Sequence, residues 1–237
     1  MIWVAAAAPV AYGVGMQIDI ISDTICPWCF IGKRRLEAAL AQRPELDPTI
    51  VWHPFQLNPD TPVEGLSREE YMRLKFGGKD YPKGFGDSIR AAGASVDIDF
   101  GFERMARVPN TVRSHRLIHW ANQEGKQDAL VEVLFRMYFL EARDIGDPEV
   151  LIAAAAEAGM DADTVRTKLD RGDDDAMVRT QDEYVRGMGV TGVPTFIINQ
   201  KHALQGAQEP EAFLQVLDKI ADELGSDAPA EDSAAAD

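Results

Sequence analysis

Strand-forming text lies near both ends of this chain and helical text fills the middle. That order limits the fold more than any other feature. Residues 17–22 (QIDIIS) are rich in Ile, flanked by Gly15 and Asp23, and read as a buried strand. The period then changes. Cys29, Gly32, Leu36, Ala39 and Leu40 step by three or four, with Lys33, Arg34, Glu37 and Gln42 between them, as in an amphipathic helix that ends before Pro44. Residues 49–55 (TIVWHPF) supply a second strand, and the strand–helix–strand order implies parallel pairing. Residues 66–188 read as nearly all helical. Ser67 and Glu70 make a capping box, and Asp147-Pro148 and Asp161 open later helices. Gly77-Gly78 and residues 82–86 interrupt. Strand chemistry returns at 193–199 and 202–204, a hairpin turning at Asn199-Gln200-Lys201. Pro210 starts a last helix with Phe213, Leu217, Ile220 and Leu224 on its inner stripe.

The order is β-α-β, a helical block, then β-β-α. It predicts an α/β chain in which residues 16–65 and 189–224 form one sheet domain and 66–188 an all-helical domain inserted into it. A length of 237 residues suits one large domain or one domain with an insertion. Residues 1–15 are uncharged and mostly Ala and Val, an apolar leader. No Lys or Arg precedes Lys33, so a secretory signal fits poorly, and Met16 is an alternative start. Residues 225–237 hold four acids and no base, the composition of a solvated tail.

Charge and cysteine usage narrow the chemistry. Lys+Arg is 24 and Asp+Glu 39, a net charge of −15, which disfavours binding to nucleic acid or to an anionic membrane surface. No run approaches the ~18 apolar residues of a membrane span. Two cysteines are too few for a disulfide framework or a four-cysteine zinc site. The pair, Cys26 and Cys29, stands at the strand-to-helix junction with Pro27 suited to the first helical turn. Unpaired N–H groups and the positive helix end there stabilise a thiolate. On this logic Cys26 is the nucleophile. Cys29, one turn into the helix and more buried, is the thiol that resolves the mixed disulfide. Half a metal site and two inert core cysteines are the alternatives. Of the four histidines only His115 and His119 stand at i, i+4. Gly192-Val193-Pro194-Thr195 opens the later strand, where a proline cannot donate to a ladder. A cis Val193–Pro194 bond would press backbone against the CxxC and leave groups free for a substrate strand. A plain trans turn is the alternative.

The strings SDTICPWCFIGKRRLE (22–37), FQLNPD (55–60), PNTVRSHRLIHWA (109–121), GVTGVPTFIIN (189–199) and GAQEPEAF (206–213) together resemble the FrnE-like branch of the DsbA family, bacterial cytosolic thiol oxidoreductases. The resemblance covers roughly residues 16–224. It implies a thioredoxin-like fold with a helical insertion and a cytoplasmic location. It also implies a redox pair at Cys26 and Cys29, a cis-proline at Pro194 and Val193 as the residue before it. Pro27, Trp28, Phe55, Leu57, Asn58, Asn110 and His115, with Thr111, are implied to face the active-site cleft and substrate. A polar helix face is the alternative for Arg113, His115 and Arg116.

The expected activity is disulfide exchange with protein or small-thiol substrates by a monomer or homodimer. No cofactor is expected beyond the redox-active Cys26–Cys29 disulfide, with glutathione as a candidate co-substrate. The superfamily also holds glutathione-dependent 2-hydroxychromene-2-carboxylate isomerases. In those a serine stands near the place of Cys26, so that reading is the weaker one. A peptide-holding module using the cleft is a further alternative. Periplasmic DsbA carries Pro-His between its cysteines where this chain has Pro27-Trp28. The substitution implies a potential between about −120 mV (DsbA) and −270 mV (thioredoxin).

Overall fold

The computed structural model describes residues 15–78, 84 and 86–226. Residues 1–14 of the leader, most of the 82–86 interruption and residues 227–237 of the tail fall outside the described residues. Strand β1 (Gln17–Ser22) leads to helix α1 (Pro27–Leu40) and strand β2 (Thr49–Pro54). Then come β3 (Leu66–Ser67), α2 (Arg68–Lys75), α3 (Asp87–Ala94) and β4 (Arg107–Val108). Five helices follow: α4 (Val112–Gln123), α5 (Gln127–Phe139), α6 (Pro148–Glu157), α7 (Ala162–Arg171) and α8 (Asp175–Gly187). Strands β5 (Thr195–Ile198) and β6 (His202–Gln205) and helix α9 (Pro210–Ser226) complete the chain.

One four-stranded sheet, ordered β2-β1-β5-β6, joins the two ends of the sequence. β1 pairs parallel with β2, Ile20 opposite Trp52, and antiparallel with β5, Ile20 opposite Phe196. The strand–helix–strand segment therefore pairs as its connection requires. β5 and β6 pair antiparallel. Asn199 and Gln200 turn the hairpin at φ 48° and 57°, and the Lys201 N–H donates to the Ile198 carbonyl, the mirror-image turn that strand twist favours.

Side-chain chemistry sets the element boundaries. Cys26 is extended (φ −90°, ψ 112°) and caps α1 ahead of Pro27. Ser67 accepts from the Glu70 N–H at α2, Asp147 from Glu149 at α6, and Asp161 from Thr164 at α7. Four details differ from the sequence reading. The helical block also holds an antiparallel ribbon, β3 with β4, whose two-residue strands are too short to leave a period. β5 begins after Pro194, which has no N–H for the ladder. α8 begins at Asp175, two residues after the start at Asp173 that the helical period suggests, because the Asp173 N–H closes α7 by donating to the Lys168 carbonyl. α9 runs to Ser226, into the segment read as tail.

An aromatic cluster ties α1 to the helical block. Phe30 stacks on Phe135 (5.2 Å) and Phe139 (6.2 Å), and Trp52 meets Phe135 edge-on. The outer side of β2 is covered as well. Gln127 accepts from the Trp52 N–H and donates to the Trp52 carbonyl, at 2.9 and 3.0 Å. Asp182 of α8 accepts the Gln56 N–H. These contacts satisfy an edge strand that would otherwise expose its ladder.

Candidate active site

The chain leaves β1 at Ser22 and makes a tight turn, in which the Cys26 N–H donates to the Asp23 carbonyl, before it enters α1. This turn sets Cys26 at the helix N-terminus, 4% exposed, and Cys29 behind it, 1% exposed. The two thiols are free and adjacent. Pro27 and Trp28 are half-buried at the rim, with Trp28 packed on the core.

Across from the dithiol the Val193–Pro194 peptide is cis. The Cys26 thiol faces the Val193 carbonyl, Sγ to O 3.7 Å. Val193 is half-buried and packs with Ile21, Phe55 and Val185. Pro194 is buried, and its carbonyl accepts from the Gly206 N–H at 2.8 Å. The two ends of the sequence thus meet at the sulfur of Cys26.

Burial pushes the Cys29 thiol well above its usual range, and its hydrogen bond and charge interaction with Cys26 add to the rise. The Ser22 hydroxyl and the Asp23 backbone N–H act the other way, since both donate toward the Cys29 sulfur. In the reduced state the buried member of the pair keeps its proton.

The other residues implied by the resemblance occupy a shell behind the turn. Phe55 is buried under the Arg186 guanidinium, which lies 4.0 Å from its ring centroid. The Leu57 side chain is 42% exposed, while its backbone N–H donates to Asp23 Oδ2 at 2.7 Å. Asn58 is half-buried with an unpaired Nδ2. Asn110 is buried, donating to the Thr61 carbonyl and accepting the Val112 N–H, so its amide fixes the entry to α4. His115 is 3% exposed, with Nε2 3.5 Å from Asp23 Oδ1.

The alternative of a polar helix face for Arg113, His115 and Arg116 gives way to burial at the last two. Arg116 is 2% exposed, stacks on Trp120 and donates to the carbonyls of Lys168 and Asp173, which end α7. Arg113 is half-buried and donates to the Gly146 carbonyl.

Sequence reasoning overlooked Ser22, Asp23 and Asp182. Asp23 is 0% exposed. An acid three residues before the first cysteine, at the end of an apolar strand, was the available signal. Asp182 is buried on α8 and holds both the N–H and the side-chain amide of Gln56. Beside Pro27 and Ile25 a cleft of about 730 Å³ opens toward Arg68, Arg73, Lys75 and Arg90, with Glu69 and Glu103 also on its wall. Among the described residues no cluster of His, Cys, Asp and Glu could hold a metal ion, and no helix is long and apolar enough to cross a membrane.

Comparison with known proteins agrees with the geometry. The family described as DSBA-like thioredoxin domain matches residues 17–218. A probable DsbA oxidoreductase from Streptomyces coelicolor is 30% identical, with 88% of this chain and 91% of that one covered at a TM-score of 0.78. A 2-hydroxychromene-2-carboxylate isomerase (15% identity, 89% and 98% covered, TM-score 0.65) shares the fold. So does the cytosolic disulfide reductase DsbM of Pseudomonas aeruginosa (17%, 87% and 99%, 0.63).

Proposed function

The chain belongs to the DsbA-like thioredoxin domain family, and on that basis we propose that it exchanges disulfides through Cys26 and Cys29. The observation that carries this reading is the Cys26 thiol at the start of α1, 3.7 Å from the Val193 carbonyl, with Cys29 buried behind it. In the reducing direction the Cys26 thiolate attacks one sulfur of a substrate disulfide. A Cys26–substrate bond forms and the first substrate thiolate leaves. Cys29 then loses its proton and attacks Cys26 Sγ, which closes the protein disulfide and releases the second substrate thiolate. The oxidising direction reverses each step. An extended substrate pairs with backbone beside Pro194.

Cys26→Ser should abolish insulin reduction and refolding of a scrambled disulfide protein. Cys29→Ser should still attack and should accumulate the mixed disulfide. Retained turnover by Cys26→Ser would overturn the reading. A measured potential near thioredoxin's −270 mV indicates a reductase, and one near DsbA's −120 mV an oxidase.

Small substrates enter by the cleft beside Pro27. Four cations against two carboxylates there suit a carboxylate-bearing thiol such as glutathione. Glutathione disulfide should then react faster than uncharged hydroxyethyl disulfide, and added salt should erase the difference. Cytoplasmic operation fits the resemblance to cytosolic thiol oxidoreductases. The isomerase reading is weaker because Cys26 replaces the serine expected of it, and absence of chromene-carboxylate turnover with added glutathione would count against it.

A further inference from the structure

The cleft beside Pro27 runs against the charge of the chain. The whole sequence carries −15, yet Arg68, Arg73, Lys75 and Arg90 meet on this wall against Glu69 and Glu103. Ion pairing removes part of that local excess. Arg90 holds Glu103 and has Asp87 at 4.0 Å. Among the described residues neither Arg68 nor Arg73 has a carboxylate within ion-pair distance.

Arg68 and Arg90 are gathered on one ring. Their guanidinium carbons stand 5.7 and 5.4 Å from the Phe102 centroid, and Phe100 stacks on Phe102 at 4.7 Å. A ring contact orients a guanidinium without consuming its N–H donors, so the fork of half-buried Arg68 remains available to an anion. Size and layout then separate charge from sulfur. The cleft holds about 730 Å³, within the ~300–1,000 Å³ of sites that enclose a whole cofactor-sized ligand. Its cations stand on α2 and α3, while the dithiol turn contributes Ile25 and Pro27. A tripeptide thiol carries its carboxylates on the residues next to its cysteine and leaves much of such a cleft unfilled. A ligand that fills it has a long neutral arm between its sulfur and its charges. Tyr71, Met72 and Ile89, on the same two helices as the cations, add an apolar and aromatic wall suited to a flat base.

We propose that the small-molecule substrate of this cleft is the disulfide of a nucleotide-bearing thiol. Its phosphates meet Arg68, Arg73 and Lys75, its base lies against Tyr71 and Met72, and its neutral arm carries the sulfur past Pro27 to Cys26. Phosphate suits this wall better than carboxylate, because it offers more charge and more acceptor oxygens to several cations at once.

The exchange balances as written for any disulfide. The Cys26 thiolate attacks one sulfur, the Cys26–substrate bond forms, and the first nucleotide thiolate leaves with the electron pair of the broken bond. Cys29 loses its proton and its sulfur bonds to Cys26 Sγ, which releases the second nucleotide thiolate. Two electrons pass from the dithiol to the substrate, and a dithiol reductant reopens Cys26–Cys29 for another turnover.

The inference rests on the dithiol reading, and a set of three disulfides separates the two. Coenzyme A disulfide and pantethine present the same arm and the same reacting bond, but pantethine lacks the nucleotide and its phosphates. Glutathione disulfide is the anionic tripeptide control. Reduced full-length protein is mixed with each at rising concentration and quenched with acid, and the released thiol is measured by chromatography. Coenzyme A disulfide should half-saturate at a concentration about tenfold or more below that of pantethine, the size of a charge-assisted contact. It should also half-saturate below glutathione disulfide, and added salt should raise its value. Arg68→Met should shrink the ratio between pantethine and coenzyme A disulfide several-fold. That ratio is internal to each protein, so a smaller folded fraction does not move it. Equal half-saturation for coenzyme A disulfide and pantethine would overturn the proposal. So would a lower value for glutathione disulfide, or a ratio that Arg68→Met leaves unchanged. Failure of all three disulfides to react with the unsubstituted protein would instead overturn the dithiol reading.

Discussion

Gly32 lies on α1 one turn after Cys29, and a Cβ there would stand 3.1 Å from Pro194 Cγ and 3.1 Å from Phe196 Cζ. Its role is therefore close packing of the helix on the cis-proline segment, and not backbone freedom. Alanine in a helix interior gains ~1 kcal/mol over glycine, but overpacking costs ~1–3 kcal/mol. The phenyl tip of Phe196 can give a few tenths of an ångström, while the Pro194 ring is held by its own backbone. Gly32→Ala should thus lose about 1 kcal/mol net in urea denaturation. Insulin reduction should slow too, because the displaced proline carries the Val193 carbonyl that faces Cys26. Unchanged stability together with unchanged exchange would show slack in this contact. At this scale spacing and residue type pointed to the dithiol, whereas its shell entered through the family resemblance alone. Cys26, Cys29 and Pro194 announce themselves by spacing and by misfit. Asp23 stands 3.5 Å from His115, 92 positions away in the sequence, and only packing brings the two together. Leu57 illustrates the same limit, because its backbone N–H serves the site while its side chain faces outward.

Helix α1 carries the dithiol at one end and is clamped to α5 further along. Lys33, 3% exposed, faces Glu37, Asp128 at 3.1 Å and Glu132 at 3.5 Å, and Arg34 shares Glu37 and Glu132. Burial alone would pull the Lys33 ammonium down. Asp128, Glu37 and Glu132 more than offset that, so its net direction is up. A lysine whose folded value is raised contributes stability fully present below its unfolded value, about 10.4, and lost as pH rises through the folded value. Lys33→Met leaves three carboxylates facing each other without the cation. Breaking a buried pair costs ~3–5 kcal/mol, but these carboxylates keep water, so about 1–3 kcal/mol is expected. Urea midpoints of the two proteins should differ by a constant amount from pH 7 to pH 10 and converge above that. A gap that widens above pH 10 would contradict this sign. The amphipathic period of α1 was plain in the sequence, yet it placed Lys33 on the solvent side. The period does not reveal that a second helix with two acids, Asp128 and Glu132, covers that side. The β3–β4 ribbon escaped for a different reason, since two-residue strands exist only as a pairing between residues 66–67 and 107–108.

The sheet and the helical block are separate in sequence but share one core. Phe30 of α1, Phe135 and Phe139 of α5 and Trp52 of β2 form a single aromatic cluster. Gln127 bonds both backbone groups of Trp52, and Asp128 accepts the Trp52 indole N–H at 3.1 Å. Removing the block would expose the face of α1 on which the dithiol rests and the outer ladder groups of β2. The block alone would expose the opposite side of α5. Neither part keeps a closed core, so the chain should unfold in one step despite its inserted architecture. Phe135 meets Phe30, Trp52 and Phe139, so it touches both parts, and it is 1% exposed. Phe135→Ala should cost ~3–5 kcal/mol, a large share of a typical total of 5–15 kcal/mol. The loss should fall on both parts equally. Trp28 reports from the dithiol end of α1, and Trp120, buried in α4 with its indole N–H on Asp174, reports from the block. Proteins retaining one of these tryptophans, with the others replaced by Phe, should give coincident denaturation curves. Phe135→Ala should shift both curves by the same amount. Loss of the Trp120 signal ahead of the Trp28 signal would mean that the block opens on its own, and the dithiol would then rest on a base that melts before it does.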